Sequence, residues 1–328
     1  MKKLLFSLGL ILTSSVIQPL FGQGCCSGGS ASPIAGGTSQ GVLNIHQMEI
    51  ATSFQKLNSG TFRKGHEIVT PLFDHYKSDY SYTRIAYGVT RKLTVSVESG
   101  YYWQRGQYDD ADTIKTRGLG DLIVFPRYNI YSKATDEKVI DITLGAGIKI
   151  PLGSHNDSTV VFTNPFTGKQ TYALDPPITQ LTTGSVDAIF YAFFLRGFPL
   201  RNFRLFANSI YIRKGWNSLD EKFGDYAGVG LFASTTVKTK FGLTMQVRGE
   251  WVNHMHSRNN VDLLATYNID QASTGMRRLI AAPQVSYSNK GITFYVMTEL
   301  PIYEHVNGTQ IGMAPQFTAG LAYRFFPR

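Results

Sequence analysis

From His46 to the C-terminus the chain alternates apolar and polar residues with period 2. The alternation comes in segments of about ten residues, the length of a tilted transmembrane β-strand. Twelve such segments are predicted, at 46–56, 82–90, 92–103, 118–131, 138–150, 183–196, 203–214, 224–238, 241–254, 277–288, 291–302 and 314–326. Their connections alternate in length. Short turns fall at Arg91, Ser132 to Glu137, Gly197 to Asn202, Thr239-Lys240 and Asn289-Lys290. Long loops fall at Leu57 to Ser81, Gln104 to Arg117, Pro151 to Thr182, Gly215 to Phe223, Met255 to Met276 and Tyr303 to Met313. Tight turns at one end and long loops at the other mark an up-and-down antiparallel β-barrel of the outer membrane. With twelve strands both termini are periplasmic, so the first connection is an outer loop, and it is a long one.

Two segments display the faces most clearly. In 241–254, Phe241, Leu243, Met245, Val247 and Trp251 lie on one face and Thr244, Gln246, Arg248, Glu250 and His254 on the other. In 314–326, Phe317, Ala319, Leu321, Tyr323 and Phe325 oppose Gln316, Thr318, Gly320, Ala322 and Arg324. A soluble β-sandwich also alternates. It needs no regular alternation of loop lengths, however, and its dry core would not tolerate lone charges.

Ahead of the first segment, Lys2 and Lys3, the apolar run Leu4 to Leu12 and the small-residue exit Phe21-Gly22-Gln23-Gly24 read as a signal peptide, 1–24. Residues 25–44 are rich in Gly and Ser and read as a flexible arm or hatch, with the barrel filling 45–328. The longest apolar run in the rest of the chain, Ala188 to Leu195, is too short for a membrane-spanning helix. The expected location is therefore the outer membrane of a diderm bacterium.

Composition narrows the picture. Of the 328 residues 43% are hydrophobic, 13% aromatic and only 17% charged, which fits neither a disordered chain nor a helical membrane protein. The net charge of +9 is spread in single basic residues and pairs, with no stripe for tracking phosphates. Nucleic acid is thus excluded as a partner, and anionic lipid or solutes fit the modest positive balance.

Certain stretches resemble outer-membrane transporters grouped around the long-chain fatty-acid channels and the barrels of phenol-degradation pathways. They are Arg117-Gly118-Leu119-Gly120-Asp121-Leu122 opening a strand, Leu144-Gly145-Ala146-Gly147-Ile148-Lys149-Ile150-Pro151-Leu152-Gly153 before a long loop, and the strand-turn-strand Tyr82 to Leu93. The resemblance implies passive uptake of a hydrophobic or small organic solute, with the N-terminal arm folded into the lumen as a hatch.

The face assignment turns Glu98, Asp121, Arg127, Asp187, Arg248, Glu250, Glu299 and Arg324 toward the lumen, together with Glu49, Arg84, Asp141, Lys149 and Arg278. They read either as a solute-selecting constriction or as salt-bridged filler. Mixed signs argue against strong ion selectivity. Cys25 and Cys26 are adjacent and lack a third cysteine, leaving lipidation of Cys25, binding of copper or zinc, or a passive reactive pair. His254 and His256 would share one face as an incomplete metal site, with Met255 on the other. Otherwise no cofactor is expected.

An enzyme is not expected either. His256-Ser257 and His305-Val306-Asn307-Gly308 provide no triad, and Asn-Gly is first a turn. The leading expectation is a monomeric channel that is inserted by the barrel-insertion machinery and passes a small solute. The alternatives are a closed barrel with a binding, metal-handling or assembly role, and a hydrolase. The aromatic loop 151–182, with Phe162, Phe166, Tyr172 and Pro176-Pro177, reads as surface-exposed, the competing reading being a lid folded over the mouth.

Overall fold

The structure, a computed structural model, describes residues 41–109, 113–258, 261–267 and 269–327. The signal peptide, Cys25, Cys26 and the arm up to residue 40 lie outside the described residues. Twelve antiparallel strands form the barrel: β1 Met48–Ser59, β2 His75–Gly88, β3 Leu93–Tyr108, β4 Thr113–Ala134, β5 Val139–Pro151, β6 Asp187–Phe198, β7 Phe203–Arg213, β8 Tyr226–Val237, β9 Phe241–Val252, β10 Met276–Asn289, β11 Ile292–Ile311 and β12 Gln316–Phe325. Each pairs with its neighbours in sequence, and β1 closes on β12 with Met48 opposite Phe325. Closure leaves no strand edge unpaired in lipid.

The alternation has its expected cause. On β9, Phe241, Leu243, Met245, Val247 and Trp251 are exposed on the outside, while Gln246, Arg248 and Glu250 are buried inside. β12 behaves likewise, with Phe317, Leu321 and Tyr323 outward and Gln316, Thr318 and Ala322 inward. An apolar outer belt around a closed barrel places the chain in a bacterial outer membrane. No described helix is long and apolar enough to cross a membrane.

Turn chemistry fixes the periplasmic ends. Lys238-Thr239, in the three-residue turn between Val237 and Phe241, and Lys290-Gly291, the two-residue turn between Asn289 and Ile292, each place two successive residues at positive φ, and the second has the hairpin geometry that follows strand twist. At the other end, β4 and β11 run for 22 and 20 residues, well past what a bilayer requires. The predicted outer loops Gln104 to Arg117 and Tyr303 to Met313 are accordingly mostly strand, and β2 begins at His75 inside the predicted loop Leu57 to Ser81. The Asn307-Gly308 turn is a bulge within β11, where the register shifts between Val306 and Thr309 and Gly308 takes φ 63°.

Above the barrel the loops pack on one another. Phe223, Met255, Leu263, Tyr267 and Ile269 form a small apolar cluster. A strand at 158–163 pairs with one at 170–174 as a hairpin whose tip residue, Phe166, is 94% exposed.

Candidate functional site: the lumen

The lumen holds two kinds of wall. From β4 to β8 the inward positions carry rings and branched apolar side chains, with Ile189, Tyr191 and Phe193 on β6 and Ile210 and Ile212 on β7 in one buried cluster. The rings form a continuous ladder across four strands. Phe125 meets Tyr191 edge-on at 5.7 Å between centroids, Tyr191 is followed by Phe193 at 6.5 Å, Phe193 by Phe206 at 6.0 Å, and Phe206 stacks on Phe232 at 4.4 Å. Glycines on the neighbouring strand make room for them. A Cβ on Gly147 would lie 2.6 Å from the Phe125 ring and 2.6 Å from the Val124 carbonyl, so no other residue allows Phe125 to lie flat on the wall.

Ionic groups line the remaining strands and the outer end of the ladder, beside a tyrosine cluster on β2 and β3. Glu250 on β9 takes Arg278 Nε at 2.5 Å, Arg248 Nε at 2.8 Å and the Tyr226 hydroxyl at 2.9 Å, and Arg248 reaches on to Glu299 at 3.0 Å. Nearer the periplasm Glu49 joins Arg84 at 2.7 Å and Arg324 at 2.5 Å across the β1–β12 seam. Glu98 accepts hydrogen bonds from Tyr82 and, at 2.7 Å, from Ser96. A third group caps the outer end of the ladder, where Lys149 sits between Asp121 at 2.8 Å and Asp187 at 2.9 Å and Lys214 adds a second cation to Asp187 at 3.0 Å. Most carboxylates here have a cation directly opposite across a strand pair, as in Asp187 opposite Lys149 and Glu250 opposite Arg278. Arg127 is buried, with its guanidinium 6.0 Å from the Phe125 ring centroid. All eight candidate charges therefore face the interior, and six of them are drawn into three separate ion-pair groups rather than one ring, while Glu98 is held by Tyr82 and Ser96 and Arg127 lies beside Phe125.

The outer half of the lumen is filled by chain. Residues 175–185, between the exposed hairpin and β6, fold inward. Ile178 packs with Phe62, Phe73 and Tyr76, and Leu181 with Tyr80, Tyr82 and Tyr102 on β2 and β3. The backbone is held by hydrogen bonds: Arg105 Nε donates to the Ile178 carbonyl at 2.7 Å, Thr116 to the Thr179 carbonyl, and Asn217 to the Thr183 carbonyl at 3.2 Å. The loop thus splits. Phe162, Phe166 and Tyr172 stay exposed as a surface-loop reading requires, whereas Pro176-Pro177 lead the chain into the barrel.

The periplasmic half differs. A cavity of about 300 Å³ opens there, floored by Phe193, Phe206 and Phe232 and rimmed by Arg204, Lys240 and Arg324. Gly41 reaches it as well, since a Cβ there would be 3.6 Å from the Phe193 ring, and the buried Leu43 donates its N–H to Thr94 at 2.8 Å. Residues 41–43 therefore turn into the barrel.

His254 and His256 fall outside the strand, because β9 ends at Val252. His256 instead pairs with Lys222 in a short ladder and contacts Gln271 at 3.3 Å, while Met255 between the two is buried in the loop cluster. Among the described residues no group of three or more His, Cys, Asp or Glu is placed to hold a metal. In the same loops Glu221 is buried, and that burial pushes its carboxyl above the usual range; hydrogen bonds from Tyr267 and Asn217 and the nearby His155 offset part of the rise.

Sequence reasoning missed Lys214, and for the loop it preferred the surface over the inward reading, where the structure shows both. Lys214 shares the parity of Ile210 and Ile212, which was the available signal. The loop gave none beyond its two prolines.

No protein-family model matches the sequence, and no curated protein matches it. Solved structures do share the architecture. The COG4313 outer membrane channel from Pseudomonas putida F1 aligns with a TM-score of 0.64 at 11% identity, over 88% of this chain and 99% of that one. A FadL homologue of Pseudomonas aeruginosa aligns with a TM-score of 0.41 at 8% identity, over 85% and 90%. At such identities the first likeness establishes the fold.

Proposed function

We propose that the protein is a passive outer-membrane channel for small organic solutes with a flat apolar body, closed at its outer end by residues 175–185. The observation that carries this reading is the aromatic ladder from Phe125 to Phe232. It lies in the lumen, faces a wall of neutralised charge and descends into the periplasmic cavity. Rings set about 4–7 Å apart offer a sliding solute one face after another, each contact modest enough to be released. The inward segment is held largely by hydrogen bonds and two aliphatic contacts, bonds of the strength that local opening breaks. The P. putida structure sharing the fold is called a channel, which agrees with this reading.

A second reading is favoured by one observation: with the outer half filled, the barrel is a closed scaffold with a binding or assembly role. Flux into proteoliposomes separates the two. The channel reading predicts faster entry of a small aromatic solute than of a sugar of equal size; equal, background-level entry of both would support the closed scaffold.

A further inference from the structure

The outside of the wall carries a feature that conduction does not use. On β2, β3 and β4 the pairing register sets Lys77 opposite Gly106 and Gly106 opposite Lys115. Two lysines thus flank a strand that presents no side chain between them, about 9.6 Å apart at ordinary strand spacing. The gap is fixed by the backbone, since a Cβ on Gly106 would lie 2.5 Å from the Ile114 carbonyl oxygen. Arg117, also outward on β4, lies over the rings of Tyr101 and Trp103 at 5.7 and 5.5 Å, and its Nε donates to the Tyr101 hydroxyl at 3.0 Å. Lys77 lies 4.9 Å from the centre of the Tyr108 ring, on which His75 stacks. Three cations and four aromatic groups therefore share one exterior patch. Asp79, one step below Lys77 on the same face of β2, is the acidic residue closest in register.

The height of the patch decides its partner. Tyr87 is the last outward-facing side chain of β2 before its periplasmic end at Gly88. Lys77 is ten positions higher on the same strand and face. At a rise of about 3.4 Å per residue and a tilt near 40°, that is about 26 Å, the height of the apolar band. Lys77 and Lys115 therefore emerge where the outer leaflet presents its head groups, with Trp103, 52% exposed, at the interface below.

We propose that Lys77, Lys115 and Arg117 bind the phosphate of an anionic outer-leaflet lipid, the phosphate entering the gap over Gly106 and the rings of Tyr101 and Trp103 lying along the lipid body. Two ammonium groups act as point charges on either side of the phosphate, and the guanidinium, oriented by its rings, supplies a directional contact. The inference is independent of what passes through the lumen.

Native mass spectrometry of the purified full chain tests it, with diphosphoryl lipid A and its fully dephosphorylated form as probes. The wild-type protein should retain the phosphorylated form and release the dephosphorylated one. Lys77→Ala with Lys115→Ala should weaken retention about 25-fold, from the usual attraction per basic residue. Asp79→Asn should strengthen it. Equal retention of the two lipids by the wild type would overturn the proposal without any variant. So would undiminished retention by a double variant that keeps the wild-type thermal transition.

Discussion

The two walls of the lumen differ in what holds them together. The ionic wall, centred on Glu250, Arg248, Arg278 and Glu299, is dense with short charge-assisted contacts that span β9, β10 and β11. The aromatic wall has rings over glycines, touching by their faces and edges, with the periplasmic cavity at its foot. Removing one partner from a buried ion network leaves a charge without compensation, whereas removing one ring leaves space. The ionic wall should therefore govern whether the barrel holds together, and the aromatic wall what moves along it.

The largest expected effect lies in the ionic wall. Glu250→Ala leaves Arg278 without its 2.5 Å partner and Arg248 with Glu299 alone. The expected cost is about 3–5 kcal/mol, read as a drop in the unfolding midpoint of the detergent-solubilised barrel. In protein that still folds, the preference for aromatic solutes should persist. A loss of that preference with stability intact would merge the two walls into one function.

Phe206→Ala gives the reverse pattern. The ring is stacked on Phe232 and half-buried beside the cavity, so stability should fall by only about 1 kcal/mol. Flux of an aromatic solute should fall about tenfold, while small-ion conductance holds or rises. Unchanged aromatic flux would remove the ladder from the transport route.

The division of the walls was only partly legible in the sequence. β9 and β12 were readable because lipid on one side and charge on the other produce clean alternation, and the inward charges followed from that parity. β6 hides its inner face: Ile189, Tyr191 and Phe193 point inward, Phe190 and Phe194 outward, and both faces are apolar. The outer ends of β2, β3 and β4 rise beyond the lipid, where Lys77, Asp79, Gln104 and Lys115 remove the contrast that marks a strand. Asn307-Gly308 has the composition of a turn and is kept in β11 by pairing on both sides of the bulge. The inward path of Pro176 to Leu181 rests on tertiary contacts with Tyr80, Tyr82 and Tyr102, residues far away in the chain.

The smallest effect lies in the loops above both walls. Because burial raises the Glu221 carboxyl, the folded loops hold its proton more tightly than the unfolded chain does. The resulting stabilisation is complete at pH below the unfolded value near 4.5 and is lost as pH rises through the higher folded value. Proteolysis of the outer loops should accordingly speed up over that rise in wild-type protein. Glu221→Gln should flatten the dependence and keep the Asn217 contact. A slope unchanged in Glu221→Gln would assign it to another group.

On the proposed function, solute moves along the aromatic wall only when residues 175–185 release the outer half of the lumen. Thr116 donates to the carbonyl of Thr179, so the barrel and the segment meet there. Thr116→Cys with Thr179→Cys, in a Cys25→Ser, Cys26→Ser background, can be joined by a short bis-methanethiosulfonate crosslinker, whose disulfide bonds are reducible. Aromatic-solute flux through the same protein is then measured crosslinked and reduced. Flux should stay at background while the crosslink is intact and recover on reduction. Equal flux in both states, with the crosslink confirmed by mass, would contradict it.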